Sequence, residues 1–443
     1  MEVSTQKKSI TNFLVAQGFN QAYTNVIFGG ILTLFLLKIG AREIMLGFLA
    51  ILGPIIGVIS IFFIPWVQKK YEKYINSNAT LMAILGFVLL PIFFLAEKFS
   101  YTFIIVYYLI FLIVYLISNQ IFSIAFMPTV TNLVPEEERG VFFGRLRAFI
   151  MFLCLVLFYI VSKILRTSHK YIAFFWAFLI LAIIQAIAPL YFSKVVYGPR
   201  TKEETAKADV LKTLKIIFQQ KNLKRFFSLL FINTFLAGLV SPFLIPFLKL
   251  KLGLSDSFCI ILSSISILGY TLSVYAWGEI NDKRGSRFVL FSSLLYGPIF
   301  WFILANIVFF PKQYISIILI VLYFFSGISN AGYQMSVSTR RMSLAPQSEK
   351  ISFYSNLMIW GEQFPVIISA PLAGFILQKN KNFTIGHYTI YPLLFIFTSF
   401  ASMYLLFKVL QMESIKEKPL KEIFTEVISQ NLLKFKDIIT SPP

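Results

Sequence analysis

The chain is 443 residues long; 57% of it is hydrophobic, only 14% is charged, and Phe stands at 50 positions. Soluble domains carry roughly 25% charged residues, and a soluble chain of this length divides into polar-surfaced domains, so composition excludes a soluble protein and implies an integral membrane one. The net charge of +20 comes from 40 Lys and Arg against 20 Asp and Glu, but the basic residues lie between apolar runs, where they orient a chain in the bilayer. A nucleic-acid partner is not expected.

Apolar runs of helical length predict twelve transmembrane spans. The first, at about 13–37, follows Lys7 and Lys8 and lacks a small-residue cleavage site, so it reads as a span and not as a signal peptide. Five more follow at about 44–66, 79–96, 101–126, 146–165 and 171–193. These make an N-terminal half, residues 1–193. A polar connector, 194–225, carries an amphipathic pattern over 203–218, with Val210, Leu211, Leu214 and Ile217 on one face. The second half, 226–411, holds spans at about 226–248, 256–277, 288–309, 313–338, 352–377 and 387–411. A tail, 412–443, is amphipathic through Ile423, Val427, Ile428, Leu432, Phe435 and Ile439. Connector and tail, with interleaved lysines, suit the surface of the membrane.

An even number of spans puts both termini on one side. On the other side fall only Lys38, Arg42, Lys98, Lys163, Arg166, Lys170, Lys249, Lys251, Lys312, Lys379 and Lys381 of the 40 basic residues. That bias predicts cytoplasmic termini, in a multi-pass protein of the plasma membrane. The cluster Lys163, Arg166 and Lys170 runs against the rule. Cys154 and Cys259 each lie inside an apolar run, His169 and His387 stand alone, and there is no phosphate-binding loop. No disulfide, metal, cofactor or self-contained ATP-driven step is therefore expected, and no nucleophile–base constellation suggests an enzyme.

A shift of 211 residues brings the halves into register. Trp66 meets Trp277, Ser118–Asn119 meets Ser329–Asn330, Pro135 meets Pro346, and Glu138–Arg139 meets Glu349–Lys350. Such a repeat implies two six-helix halves related by an axis along the membrane normal. Between the eighth and ninth spans the chain reads Gly278-Glu-Ile-Asn-Asp282-Lys283-Arg284-Gly285-Ser286-Arg287. With the 6 + 6 organisation, this resembles the major facilitator superfamily of secondary transporters, whose loop signature is G-x-x-x-D-[RK]-x-G-[RK]-[RK]. Ser286 alone departs from it. Pro135 to Arg145, with Arg139, Gly140 and Gly144, is similar to the family's loop after the fourth span.

Gly278 and Gly285 lack a Cβ and permit a close approach and a tight turn, and Asp282 can accept from N–H groups at a neighbouring helix start. The resemblance implies that this loop meets the other half near Gly144, Arg145 and Arg147, as a latch. Gating residues are then Gly278, Asp282, Arg284, Gly285, Arg287, Arg139, Arg145 and Arg147. The first half reads Val67 and Tyr71 where the signature has Gly and Asp, with Glu72 one position over, so a symmetric latch is in question.

Polar residues inside spans face the bundle or a cavity. Gln17, Asn20, Gln21, Thr24 and Asn25 fall within an arc of roughly 140° on the first span. Ser326, Ser329, Asn330, Tyr333 and Gln334 repeat that spacing on the tenth. Tyr115, Asn119 and Ser123 form a shorter stripe on the fourth, and Asn233 and Thr234 add to it from the seventh. The resemblance implies that spans one, four, seven and ten line a central cavity, which makes these the candidate substrate contacts. The alternative is interhelical hydrogen bonding, worth about 0.6 kcal/mol per group.

Among the acidic residues only Glu362 lies well within an apolar run. A carboxylate there is costly unless paired or protonated, so it is the candidate for proton coupling, with a purely structural Glu as the alternative. No Lys or Arg is expected at mid-membrane, which disfavours anionic substrates. The predicted fold is an all-α, twelve-helix bundle of two pseudo-symmetric halves. The expected function is secondary transport of a small neutral or zwitterionic solute by alternating access, with membrane lipid as surroundings and a monomer as the working unit. Alternatives are an exporter or flippase of an amphiphile, or a non-transporting sensor or assembly partner.

Overall fold

A computed structural model describes residues 3–63, 66–67, 70–96, 98–135, 138–167, 171–197, 210–344, 357–380 and 383–413 of the chain. Among these residues it contains twelve helices long and apolar enough to cross a membrane: Thr5–Lys38, Glu43–Ser60, Tyr71–Leu95, Tyr101–Phe126, Phe142–Thr167, Tyr171–Phe192, Lys221–Lys251, Asp256–Arg284, Ser286–Phe309, Lys312–Arg341, Trp360–Lys379 and Ile390–Leu410. Inside hydrocarbon no water satisfies backbone groups, so apolar runs of this length have little option but to be helical. They are numbered here as spans one to twelve. The end of the bundle carrying Thr5 and Leu410 is called the terminal face and the opposite end the distal face.

Span edges differ from expectation where polar residues extend or break a helix. Span two stops at Ser60, whose hydroxyl donates to the Gly57 carbonyl at 2.6 Å, and a 3-10 turn over Ile61–Phe63 follows. The helix of span ten continues to Leu344, so it carries Arg340 and Arg341 beyond its apolar stretch. Residues 352–356 of the expected eleventh span lie outside the described residues. So do 203–209 of the expected connector helix and the amphipathic stretch of the tail; Val210–Gln219 is helical.

Each half packs around its own polar joints. In the first half Gln185 donates to Asn20 at 2.7 Å, Ser118 donates to the Asn78 side chain at 3.0 Å, and Asn132 donates to the Tyr71 hydroxyl at 2.6 Å. In the second half Ser329, the repeat partner of Ser118, donates to the Ser293 carbonyl at 2.7 Å, and Ser399 donates to the Pro298 carbonyl at 2.7 Å. Span four is thus tied to span three as span ten is tied to span nine, which is the repeat seen in three dimensions. Phenylalanines such as Phe62, Phe152 and Phe400 are exposed on the outside of the bundle, as lipid-facing side chains must be.

Among the described residues three π-helical turns interrupt the spans, at Ile27–Ile31, Phe247–Lys251 and Leu357–Gln363. The first contains Gly30 at φ 127°, a conformation side chains rarely tolerate. It sits where span one meets the second half, and a Cβ there would lie 2.4 Å from Ile245 Cδ1.

Candidate functional site

The halves meet closely toward the distal face. Span two lies against span eleven so tightly that a Cβ on Gly47 would fall 2.6 Å from the Ala370 carbonyl oxygen. The Ile44 N–H donates to Gln378 Oε1 at 3.3 Å, and the Tyr391 hydroxyl donates to the buried carboxylate of Glu43 at 3.4 Å. Ser162 and Ser257 join spans five and eight at 3.2 Å. Ser263 of span eight donates to the Gly29 carbonyl at 3.1 Å, supplying a partner where the π-helical turn perturbs span one. On the second half's own distal loop Lys249 pairs with Asp256.

Between the halves, toward the terminal face from this layer, lies a cavity of about 780 Å³. Its walls include Thr24, Asn25 and Phe28 of span one, Met151 and Phe158 of span five, Asn233 and Ser241 of span seven, and Ser263 and Ser266 of span eight. Span ten adds Tyr323, Ser326, Ser329, Asn330 and Tyr333. None of the lining residues is Asp, Glu, Lys, Arg or His.

The candidate substrate contacts separate into two sets. Thr24, Asn25, Asn233, Ser326, Asn330 and Tyr333 line the cavity. Gln17, Asn20, Gln21, Tyr115, Asn119 and Gln334 are not on its walls. Asn20 is 1% exposed and held by Gln185, and Gln17 is buried in the first half. Tyr115 sits one layer back, its hydroxyl 2.8 Å from that of Thr24, while Gln21 donates to Asn25 at 3.0 Å. Asn119 is half-buried and Gln334 exposed. Span four therefore reaches the cavity only through Thr24, because Tyr115 and its ring neighbour Phe111 fill the space against span one. Spans five, eight and nine take its place. The run Ser263-Ser264-x-Ser266 in span eight and Ser292-Ser293 in span nine were the available signals, but hydroxyls are common enough in spans that such runs carry little weight alone.

Glu362 is not isolated. It pairs with Arg341, which the extension of span ten brings alongside the π-helical turn at Leu357–Gln363. Tyr333, one of the cavity-lining residues, lies within hydrogen-bonding reach of Asn233 and in the electrostatic field of Glu362 and Arg341. Arg341, beyond the apolar stretch of span ten, is thus placed beside a carboxylate that offsets its charge.

The signature loop behaves partly as expected. Gly285, at φ 84°, forms the turn that ends span eight and starts span nine. A Cβ on Gly278 would meet nothing closer than Met335 at 3.7 Å, so no close approach requires glycine there. Asp282 is exposed and makes no hydrogen bond or ion pair among the described residues, Arg145 is exposed, and Arg147 is half-buried. The Arg139 side chain is outside the described residues. Arg284 stacks over the Phe288 ring at 5.5 Å. Arg287 turns into its own half and donates to the carbonyls of Val409 and Leu410 at the end of span twelve. Carbonyls at a helix end lack the regular i+4 donor and so retain capacity to accept from a cation, which is the physical reason Arg287 points there and not across to span five. Arg225 and Arg340 donate to Gln411 and Glu413 carbonyls at the same helix end.

Among the described residues no group of three or more His, Cys, Asp or Glu is placed to hold a metal. Both cysteines are free and buried.

Residues 226–443 match the family model described as Major Facilitator Superfamily. Solved structures share the fold over nearly the whole chain. A D-xylose–proton symporter aligns with a TM-score of 0.70 at 15% identity, covering 95% of this chain and 100% of that one. The xylose transporter XylE from E. coli, in a partially occluded inward-open conformation, gives 0.67 at 14% identity over 94% and 100%. The nucleoside transporter NupG gives 0.62 at 14% identity over 93% and 99%. No curated protein sequence matches. The loop signature, the two six-helix halves and the cavity between them agree with these likenesses: the second half carries the Major Facilitator Superfamily model, and the whole chain has the twelve-helix fold of these solved transporters.

Proposed function

We propose that this protein carries a small neutral or zwitterionic solute by alternating access through the cavity between its halves. One observation carries the reading: the cavity walls offer amides and hydroxyls and no charged side chain. A net-anionic solute entering it would lose its hydration with no counter-charge on the wall. Thr24, Asn25, Asn233, Ser326, Asn330 and Tyr333 are the proposed solute contacts. The second half, 226–411, supplies most of them; the 194–225 connector and the 412–443 tail take the role of membrane-surface segments.

The terminal face is proposed to lie in the cytoplasm of a plasma-membrane protein, supported by the excess of basic residues there. The layer of contacts at Gly47, Ile44 and Ser162 is then the outward seal, and the unengaged Asp282 and Arg145 belong to an inward-facing state whose latch is open. In the outward-facing state Asp282 would engage the start of span five.

Glu362 is the proposed coupling site. Its partner Arg341 and its neighbour Tyr333 connect it to the cavity wall, so protonation of the carboxylate would release Arg341 and alter the wall that holds the solute. A thermal-shift screen of the purified protein tests the substrate class, because a ligand bound only by the folded state raises the melting temperature. A neutral metabolite should stabilise the protein and Asn330→Leu should abolish the shift. Stabilisation by amphiphiles alone would favour export or flipping of a lipid-like molecule. Uptake driven by a pH gradient should vanish in Glu362→Gln with binding retained; full pH-driven transport in that variant would refute the coupling role.

A further inference from the structure

The cavity is off-centre. From the space between the halves it continues into the second half as a lobe whose far wall is span nine, through Ser293, Tyr296, Gly297, Phe300 and Trp301. The matching spans of the first half contribute nothing comparable. This lobe is chemically unlike the rest of the cavity.

Its wall is a fixed aromatic surface. Ring centroids lie 6.0 Å apart for Tyr296 and Phe300, 5.9 Å for Phe300 and Tyr323, and 4.9 Å for Phe300 and Trp301. Trp301 is held from behind by Phe395 at 5.5 Å, and Tyr296 is anchored by donating to the Leu322 carbonyl at 2.6 Å. Rings locked this way bind a flat partner with little ordering cost. The hydroxyls beside them are already committed: Ser293 donates to the Val289 carbonyl at 2.7 Å and Ser329 to that of Ser293 at 2.7 Å.

Two polar groups in the lobe have no hydrogen-bond partner among the described residues, the Tyr323 hydroxyl and the Trp301 indole N–H. Tyr323 is 8% exposed and lines the cavity. Toward the axis between the halves the character changes to amides, Asn25, Asn233 and Asn330. Beside the aromatic wall there is room: a Cβ on Gly297 would meet only Ser402 Cβ, at 4.0 Å.

We infer that the lobe binds the ring of an uncharged, two-ended solute. One end is a flat ring bearing a hydrogen-bond acceptor, packed on Phe300 and Tyr323 and bonded by the Tyr323 hydroxyl or the Trp301 indole. The other end carries hydroxyls or amides and meets Asn25, Asn233 and Asn330. This rests on the proposed cavity transport and specifies its substrate: a polyol or sugar without an attached ring leaves the lobe empty, and a long acyl chain does not satisfy the two donors.

Matched probes isolate the ring. Melting of the full-length purified protein is measured with adenosine against D-ribose and with salicin against D-glucose. At least one ring-bearing probe should raise the melting temperature while its ringless partner at equal concentration does not. Gly297→Leu, which fills the lobe, should raise the concentration of probe required by at least about tenfold with the unliganded melt unchanged, since ring burial is lost. Tyr323→Phe, which keeps the ring and removes the donor, should weaken the same probe several-fold. Should Leu at 297 prevent folding, Gly297→Ser and Tyr323→Phe carry the test. Equal shifts from ringless partners, unaffected by Gly297→Leu but lost in Asn330→Leu, would overturn the lobe assignment and leave the cavity reading standing. No shift from any of the four probes would count against both.

Discussion

Spans two and four of the first half and spans eight and ten of the second occupy matching places in the repeat, but they approach each other differently. Between spans eight and ten two glycines face the opposite backbone; a Cβ on Gly327 would fall 1.8 Å from the Ser266 carbonyl oxygen, and one on Gly269 would fall 2.1 Å from that of Phe324. The same register positions in the first half are Leu116 and Val58, whose bulk keeps the helices apart. The polar stripes diverge as well. Asn20 of span one is locked to Gln185 inside its own half, whereas Asn330 of span ten stands exposed on the cavity wall. The repeat has preserved where polar groups occur, and packing has decided which of them meet solute.

That contrast can be broken most severely at the glycines. Gly327→Leu should abolish folding of the second half or cost well over the 1–3 kcal/mol typical of overpacking, read as loss of monodisperse protein and of a cooperative melt. Leu116→Val at the matching site should cost about 1 kcal/mol.

Next in size is the ion pair. Arg341→Leu leaves the Glu362 carboxylate in a span without its partner and should destabilise by about 3 kcal/mol, near the lower end for a broken buried pair because both side chains are partly exposed. The double variant with Glu362→Gln should recover most of that loss in thermal melts. Failure to recover would mean that Arg341 acts through other contacts.

The stripes can be compared directly. Asn20→Ala strands the Gln185 amide and should lower stability by about 1–3 kcal/mol with little change in solute affinity per folded molecule. Asn330→Ala should do the reverse, leaving the melt unchanged and weakening solute binding. Equal behaviour of the two variants would remove the distinction between a structural and a solute-facing stripe. The smallest effect is expected at Ser263→Ala, which removes its bond to the Gly29 carbonyl. Loss of one interhelical bond, about 0.6 kcal/mol, should shift the balance toward opening of the distal face roughly threefold, read by labelling of a cysteine introduced at Ser257.

The hydrophobic runs made the twelve spans legible because hydrocarbon leaves the backbone no alternative to a helix. The loop from Gly278 to Arg287 made the resemblance to the superfamily legible, and the turn at Gly285 followed from its missing Cβ. Less was legible about the loop's charges. Arg287 has the composition of a latch residue, yet it donates to the carbonyls of Val409 and Leu410 in its own half. Glu362 was visible as an unusual carboxylate in an apolar run; its partner was not, since Arg341 lies 21 residues away beyond the apparent end of span ten.

Residue order alone thus determined that the chain spans the membrane, how often, in two related halves, and which helix faces carry polar groups, because hydropathy and the 3.6-residue period act locally along the chain. Only the tertiary structure decided which polar face meets another helix and which meets the cavity, that span nine joins the wall while span four withdraws from it, and that Glu362 has a cationic partner. Those outcomes depend on how closely two backbones approach, and that distance is set jointly by side chains from segments far apart in sequence.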